Sequence, residues 1–401
     1  MRLYRMELYK LCHKKSFLAG FLFVLLIGLF FFCEDVQSQY CVINGVEYTG
    51  LKAIRANRQI TEEFRGVLTD DKVSQIVEKY GFPTGKPDRY DRLSGNFLNT
   101  FVMTYVSDGY NNGWDDYRPA TRALPLADSD LGRYHTAAGM EIRLEYYDGW
   151  ESFLSQSGAL MLGVSMLILY IVSIVFSEEE QVSMKPLMFT TKEGPSTDTL
   201  AKIAAALSIS AGIWLVSVSF YLLLYSIVYG TDGLSCIASL VSVYRFRETP
   251  LLMQSIGKYL AVRLLVSLLA VLELCAVTIC MSARCHSSFH AIVAAGICYV
   301  MPFLGFMLFE LGIVGMTIYQ MHHQMNSFLQ MICLHLLYLV ISLVQSSPLY
   351  LMCNRDILME IVRTEGTEGM RCFYATLSVA VVLFILCTIS AYRRYRKPQT
   401  R

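Results

Sequence analysis

Charge is scarce in this chain. Asp, Glu, Lys and Arg make up 17% of its 401 residues, against about a quarter in an ordinary soluble domain, whose surface must face water. The 34 basic and 33 acidic side chains nearly cancel, so the basic footprint that nucleic acid requires is missing. Signatures of chemistry are missing too. The nearest approach to a phosphate-binding loop, Gly81-Phe82-Pro83-Thr84-Gly85-Lys86-Pro87, is one residue short and has proline where serine or threonine is needed. None of the seven histidines sits in an HExxH pattern, and there is no GxSxG nucleophile elbow. His322, His323 and His335 read as a polar interfacial face, since adjacent residues on a helix point about 100° apart and cannot jointly ligate a metal. The expectation is a chain that is no enzyme, with no cofactor, no metal and no nucleic-acid partner. An intramembrane enzyme is disfavoured because no paired catalytic residues occur within the apolar runs.

Twelve cysteines are present, but no CxxC spacing occurs. Cys33, Cys275, Cys280, Cys298, Cys333 and Cys387 lie in apolar runs, and Cys12 and Cys285 in short basic segments. Only Cys41, Cys236, Cys353 and Cys372 fall where an oxidising compartment would be expected. Cysteine is read here as a small apolar filler.

What the chain has in quantity is hydrophobic sequence: 54% of residues, with a mean hydropathy of +0.42. About 20 apolar residues cross a bilayer. Uncharged runs cover 16–33, 159–176, 203–229, 291–309 and 373–392, and 264–281 carries the single acid Glu273. The first run is read as an uncleaved helix, because Cys33-Glu34-Asp35 offers no small-x-small cleavage site. A seventh candidate, 326–347, contains Gln330, His335 and Gln345. Arg2, Arg5, Lys10, Lys14 and Lys15 at one end, and Arg393, Arg394, Arg396, Lys397 and Arg401 at the other, place both termini in the cytoplasm. That placement demands an even number of crossings. The expected fold is therefore an all-α polytopic plasma-membrane protein with six transmembrane helices, and 313–350 forms re-entrant or interfacial helices before the sixth.

The expected layout is a cytoplasmic amphipathic segment and first helix over 1–33, a mainly helical extracytoplasmic domain over 34–156, and helices two to six over 157–401. In the domain, Thr69 caps a helix whose apolar face is Val73, Ile76, Val77 and Tyr80, ending at Gly81 and Pro83. The stretch 107–118 reads as loop. Arg5 to Leu11 reads as an interfacial helix with Met6, Leu8 or Tyr9, and Leu11 toward lipid. Glu273 is the one acid deep in a span. Proton coupling is the sharp reading, and a protonated acid bonded to a neighbouring helix is the bland one. Arg263, ten residues earlier and about 15 Å along a helix, is not its direct partner.

Five stretches, in order, resemble one family: the permease subunits of ATP-binding-cassette (ABC) transporters, type-2 exporter-like class, as found in Gram-positive bacteria. They are Met6-Glu7-Leu8-Tyr9-Lys10-Leu11; Phe64-Arg65-Gly66-Val67-Leu68-Thr69-Asp70-Asp71-Lys72; Tyr146-Tyr147-Asp148-Gly149-Trp150 before the second span; the loop 177–202; and 233–259 with Ser282-Ala283-Arg284. The loop carries most of the likeness, with Ser177-Glu178-Glu179-Glu180, then Leu187-Met188-Phe189-Thr190-Thr191-Lys192-Glu193-Gly194, then Lys202. Pro195 stands where the family often has arginine, so that arginine's contact is not carried over, and 310–350 is longer than the family pattern.

The resemblance implies a permease subunit that dimerises with itself or a second permease and moves substrate on ATP hydrolysed by a separate ABC ATPase. The coupling contact would fall on Glu178, Glu179, Glu180, Leu187, Met188, Thr190, Thr191, Lys192 and Gly194, with Glu7 and Lys10 touching the same partner. The alternative reading is a membrane sensor whose domain of some 120 residues binds a ligand and signals through the charged loop.

Overall fold

A computed structural model describes residues 2–85, 94–111, 117–182, 194–242, 249–310, 343–353 and 367–396. Among these, five helices are long and apolar enough to cross a membrane: Lys15–Ser38 (α2), Asp148–Gln181 (α7), Thr199–Tyr229 (α8, counted from Ser196 with the turn before it), Ile256–Ser282 (α9) and the Phe373–Arg396 part of Thr367–Arg396 (α12). Their lipid-type faces are plain. Leu22, Phe23, Leu26 and Phe30 of α2 and Leu215, Leu223 and Ile227 of α8 are exposed, while the opposite faces are buried. The expected fifth span, 291–309, lies in Ser288–Glu310 (α10), which contains Pro302. Its apolar run counts only from Ser288 to Leu304 and falls outside the five. The seventh candidate, 326–347, lies outside the described residues up to 342.

Residues between α2 and α7 form a domain of four helices: Leu51–Phe64 (α3), Asp70–Tyr80 (α4), Phe97–Tyr105 (α5) and Asp130–Ala138 (α6). Three two-stranded antiparallel ribbons tie it together: Tyr40–Ile43 (β1) with Val46–Thr49 (β2), Gly66–Val67 (β3) with Arg143–Leu144 (β6), and Tyr110–Asn111 (β4) with Tyr117–Arg118 (β5). The expected cap is in place. The Thr69 hydroxyl accepts from the Lys72 amide, and Val73 and Ile76 are buried. The stretch read as loop is partly strand, since β4 pairs with β5 inside it. The Asn96 side chain accepts from the Asn99 amide while the Asn99 side chain accepts from the Asn96 amide. That reciprocal box was not anticipated, because Asn at the third position is an unusual partner.

The chain enters and leaves the domain through unbroken helix. α7 begins at Asp148 and ends at Gln181. Both Tyr146-to-Trp150 "before the span" and Glu178–Glu180 "in the loop" therefore fall partly or wholly on one 34-residue helix, which is longer than a bilayer needs. The five spans connect the domain end of the bundle to a far end, where α2 and α8 begin and α7, α9 and α12 finish. Packing between helices is close where glycines stand. A Cβ on Gly149 would meet Tyr229 Cβ at 2.4 Å, and one on Gly158 would meet the Cys353 carbonyl oxygen at 2.6 Å. Small residues of this kind let membrane helices approach.

Candidate functional site

The far end of the bundle is built around one lysine. Lys202 stands in the first turn of α8, preceded by a turn over Gly194–Asp198, and its side chain is fully buried. Its Nζ donates to Glu179 Oε2 at 2.6 Å and to Asp198. The Tyr395 hydroxyl of α12 donates to the same Glu179 oxygen at 2.7 Å, and the Lys202 ammonium lies 5.6 Å from the centre of that ring. Phe176 of α7 packs on Tyr395 with ring centres 4.3 Å apart. Three elements, the ends of α7 and α12 and the start of α8, are thereby fixed to one another. A buried cation is tolerated when carboxylates surround it in this way.

The three consecutive glutamates point three ways, as a helix requires. Glu178 is exposed and pairs with Lys14 at 2.6 Å; Glu179 turns inward to Lys202; Glu180 faces His286 at 3.5 Å. Arg2–Cys12 (α1) lies against α8, with the Tyr4 hydroxyl donating to Ser208 at 3.0 Å. Glu7, buried, accepts from Lys10 at 2.5 Å. Met6 and Tyr9 are exposed as expected for lipid contact, but Leu11 is not: it is buried beside Glu7. Packing on α8 takes that face. Between α1, α7 and α8 lies a cleft of about 390 Å³, bordered by Glu7, Lys10, Lys14, Glu178, Glu179 and Lys202. The structure thus brings Glu7, Lys10, Glu178 and Glu179 to one place. Gly194 is in the turn leading to Asp198. Leu187, Met188, Thr190, Thr191 and Lys192 lie outside the described residues.

Glu273 is not part of this site. It is buried in α9, 1% exposed, and its Oε2 has no hydrogen-bond partner. Arg263 also lies apart from it, donating from Nη1 and Nη2 to the carbonyls of Leu351 and Met352 at 2.9 and 2.8 Å. Those carbonyls close the short helix Pro348–Cys353 (α11). Sequence reasoning missed this clamp, since carbonyl partners 88 residues away leave no side-chain signal.

At the domain end, the loop after α8 is gripped by the domain. Glu145, buried, accepts from the Gly233 amide at 2.9 Å and the Ser235 hydroxyl at 2.8 Å. Trp150 Nε1 donates to the Asp232 carbonyl at 2.7 Å. Arg58 of α3 and Arg65, just past its end, reach the Asp232 carboxylate at 3.5 and 3.2 Å, across a cleft of about 380 Å³. Burial pushes the Cys41 thiol up to about 11 and Cys236 up to about 12. Both therefore stay protonated and are free, in keeping with packing rather than reactivity.

No protein-family model, curated protein or solved structure matches this chain.

Proposed function

We propose that the chain is the membrane-spanning permease subunit of an ABC transporter, with six spans, both termini in the cytoplasm of a plasma membrane, and a separate ATPase docking on its far end. The observation that carries the reading is the Lys202 cluster. The two flanks of the loop that resembles the family's coupling segment, Glu178–Glu180 and Asp198–Lys202, are not loose ends. Buried ion pairs join α7 to the start of α8, and the Tyr395 hydrogen bond adds α12. A push delivered between 183 and 193 would thus reach three spans at once, which is what biasing a bundle between two states requires. The partner contact falls on the exposed groups of that end, Glu178 and Lys10, and Glu179 is reserved for the inward network.

The test is co-purification of the tagged chain from native membrane in mild detergent, followed by an ATP-turnover assay and mass spectrometry. An ABC ATPase should be recovered, and Glu178→Lys, which leaves the Lys202 cluster intact, should lower its yield. A monodisperse preparation with no ATPase and no turnover sinks the proposal. The sensor reading draws on the charged cleft beside Arg58 and Arg65, and recovery of a kinase in place of the ATPase would favour it.

A further inference from the structure

Where α9 reaches the far end, three hydrogen-bond donors converge on one sulfur. Cys280 is buried two residues before the end of α9, about 3 Å along the axis. Arg284, four residues on, turns back over it: Nη1 donates to the Cys280 carbonyl at 2.9 Å and also to its Sγ. Nη2 reaches across to α12 and donates to the Ser390 hydroxyl at 2.6 Å. Ser390 stands one turn beyond Cys387 on that helix. The Ser390 hydroxyl and the Cys387 thiol both donate to the Cys280 sulfur. Both cysteines are free.

Cysteine in an apolar span is ordinarily filler, and a basic side chain near a helix end ordinarily bonds the last carbonyls. The Arg284 contact with the Cys280 carbonyl fits the second habit. Neither habit accounts for a guanidinium, a hydroxyl and a second thiol on the same sulfur. The thiolate is the nucleophilic form of cysteine, and an adjacent arginine is one of the settings that supply it. A sulfur so placed, with another thiol in contact, is the arrangement of a redox-sensing pair. Water has a route in, because Arg284 is exposed and Cys387 and Ser390 are half-buried. Two further titratable groups stand in range: Glu273, acting on Cys387, and the Cys298 thiol of α10, acting on Cys280.

We propose that Cys280 is a site of oxidation by hydrogen peroxide, with Arg284 holding positive charge on its sulfur and Cys387 as the resolving thiol. The Cys280 sulfur gives up its proton and attacks one peroxide oxygen. The O–O bond breaks, and the departing hydroxide takes that proton to become water. Sulfur is oxidised by two electrons to the sulfenic acid, and the peroxide is reduced. The Cys387 sulfur then attacks Cys280. The S–S bond forms as the S–O bond breaks, and the leaving hydroxide takes the Cys387 proton as a second water. The bridge joins α9 to α12, whose Tyr395, about two turns further on, donates to Glu179. Cytosolic disulfides are usually transient, so on the permease reading this bridge would tie two far-end helices together reversibly. That consequence rests on the permease reading; the thiol chemistry does not.

The experiment exposes the purified full chain in nanodiscs to hydrogen peroxide and blocks the remaining thiols with N-ethylmaleimide under denaturing conditions. Bridged and oxidised peptides are then followed over time by mass spectrometry. A Cys280–Cys387 bridge should form ahead of any other and be lost on adding dithiothreitol. Arg284→Gln should slow its formation about tenfold, the scale on which a neighbouring cation activates a thiol. Arg284→Lys, which keeps a charge there, should recover most of the rate. In Cys387→Ser, Cys280 should accumulate as the sulfinic acid, since no thiol resolves it. In Cys280→Ser, Cys387 should stay reduced. Absence of the bridge, a bridge from Cys280 to Cys298 in its place, or a rate that Arg284→Gln leaves unchanged overturns the site. The first two outcomes are read on the unaltered chain, so they decide the matter even if a variant fails to fold. The ATPase co-purification uses none of these steps, so failure of the site and failure of the permease reading are separable.

Discussion

Lys202 at the far end is wholly shielded from water, whereas the Arg65 side chain at the domain end is 45% exposed. Both are cations that join elements distant in sequence. At the far end Glu179 and Asp198 are themselves nearly buried, and removing the cation would leave two carboxylates in an apolar setting. At the domain end the backbone does the work: Glu145 takes an amide and a hydroxyl of the loop after α8, and the arginines add to a grip that exists without them. The difference teaches that ion pairing fixes the far end, and directional hydrogen bonding to main chain fixes the end that carries the domain.

The largest test of that contrast is Lys202→Met. Breaking a buried pair from one side costs about 3–5 kcal/mol, so the thermal midpoint of the purified chain should fall sharply. Lys202→Met combined with Glu179→Gln and Asp198→Asn should regain most of the loss, since no uncompensated charge remains. Equal destabilisation by the single and the triple variant would show that the cluster is held by packing. At the domain end the matching change is Glu145→Ala. It orphans the Gly233 amide and should cost about 1–3 kcal/mol, with hydrogen exchange rising at 233–236 and unchanged around Lys202. Exchange that rises at both ends would mean the two are one cooperative unit.

A smaller effect follows from pH. His135, buried in α6 with Nδ1 3.2 Å from the Met140 carbonyl, is held below its ordinary value by burial, the carbonyl only partly offsetting it. The folded domain therefore binds its proton less readily than the unfolded chain does. Stability is complete above about pH 6.5 and is lost as pH falls through the lowered value. Unfolding of the domain, followed by exchange in α6 at pH 7.5 and 5.5, should ease at the lower pH, and His135→Gln should flatten that response. Asp108, held low by the Thr121 side chain and amide, acts in the same direction but only below about pH 4.

Five of the six expected spans and the Thr69 cap were legible because each is a local signal: a run of apolar residues, or a hydroxyl three residues before the amide it accepts. Leu11 was misplaced because α1 has two apolar edges, Met6 with Tyr9 and Leu8 with Leu11. Only contact with α8 decides which one is covered. α7 was drawn too short because its flanking turns are polar, and length beyond the bilayer leaves no hydropathy trace. The segment 177–202 was half legible. Its acids could be read, but not that Glu179 turns inward, since its partners Lys202 and Tyr395 are 23 and 216 residues away. Arg263 was seen only as too far from Glu273, and the contacts that tie it to α11 are main-chain oxygens that any sequence would supply.

The smallest expected effect sharpens the comparison most. Arg65→Ala removes a guanidinium that pairs with Glu62 in the last turn of α3 and with Asp232 across the cleft. Holding its pKa up are first the Glu62 hydrogen bond and then the Asp232 charge, but with water at nearly half of the side chain such pairs are worth about 0–1 kcal/mol and fade with salt. Arg58 still reaches Asp232 at 3.5 Å, and Trp150 still holds its carbonyl. The thermal midpoint should therefore hardly move, and 0.5 M salt should erase what difference there is. A loss as large as that of Lys202→Met, insensitive to salt, would mean the domain end is also clamped by charge, and the division of labour between the two ends would have to be abandoned.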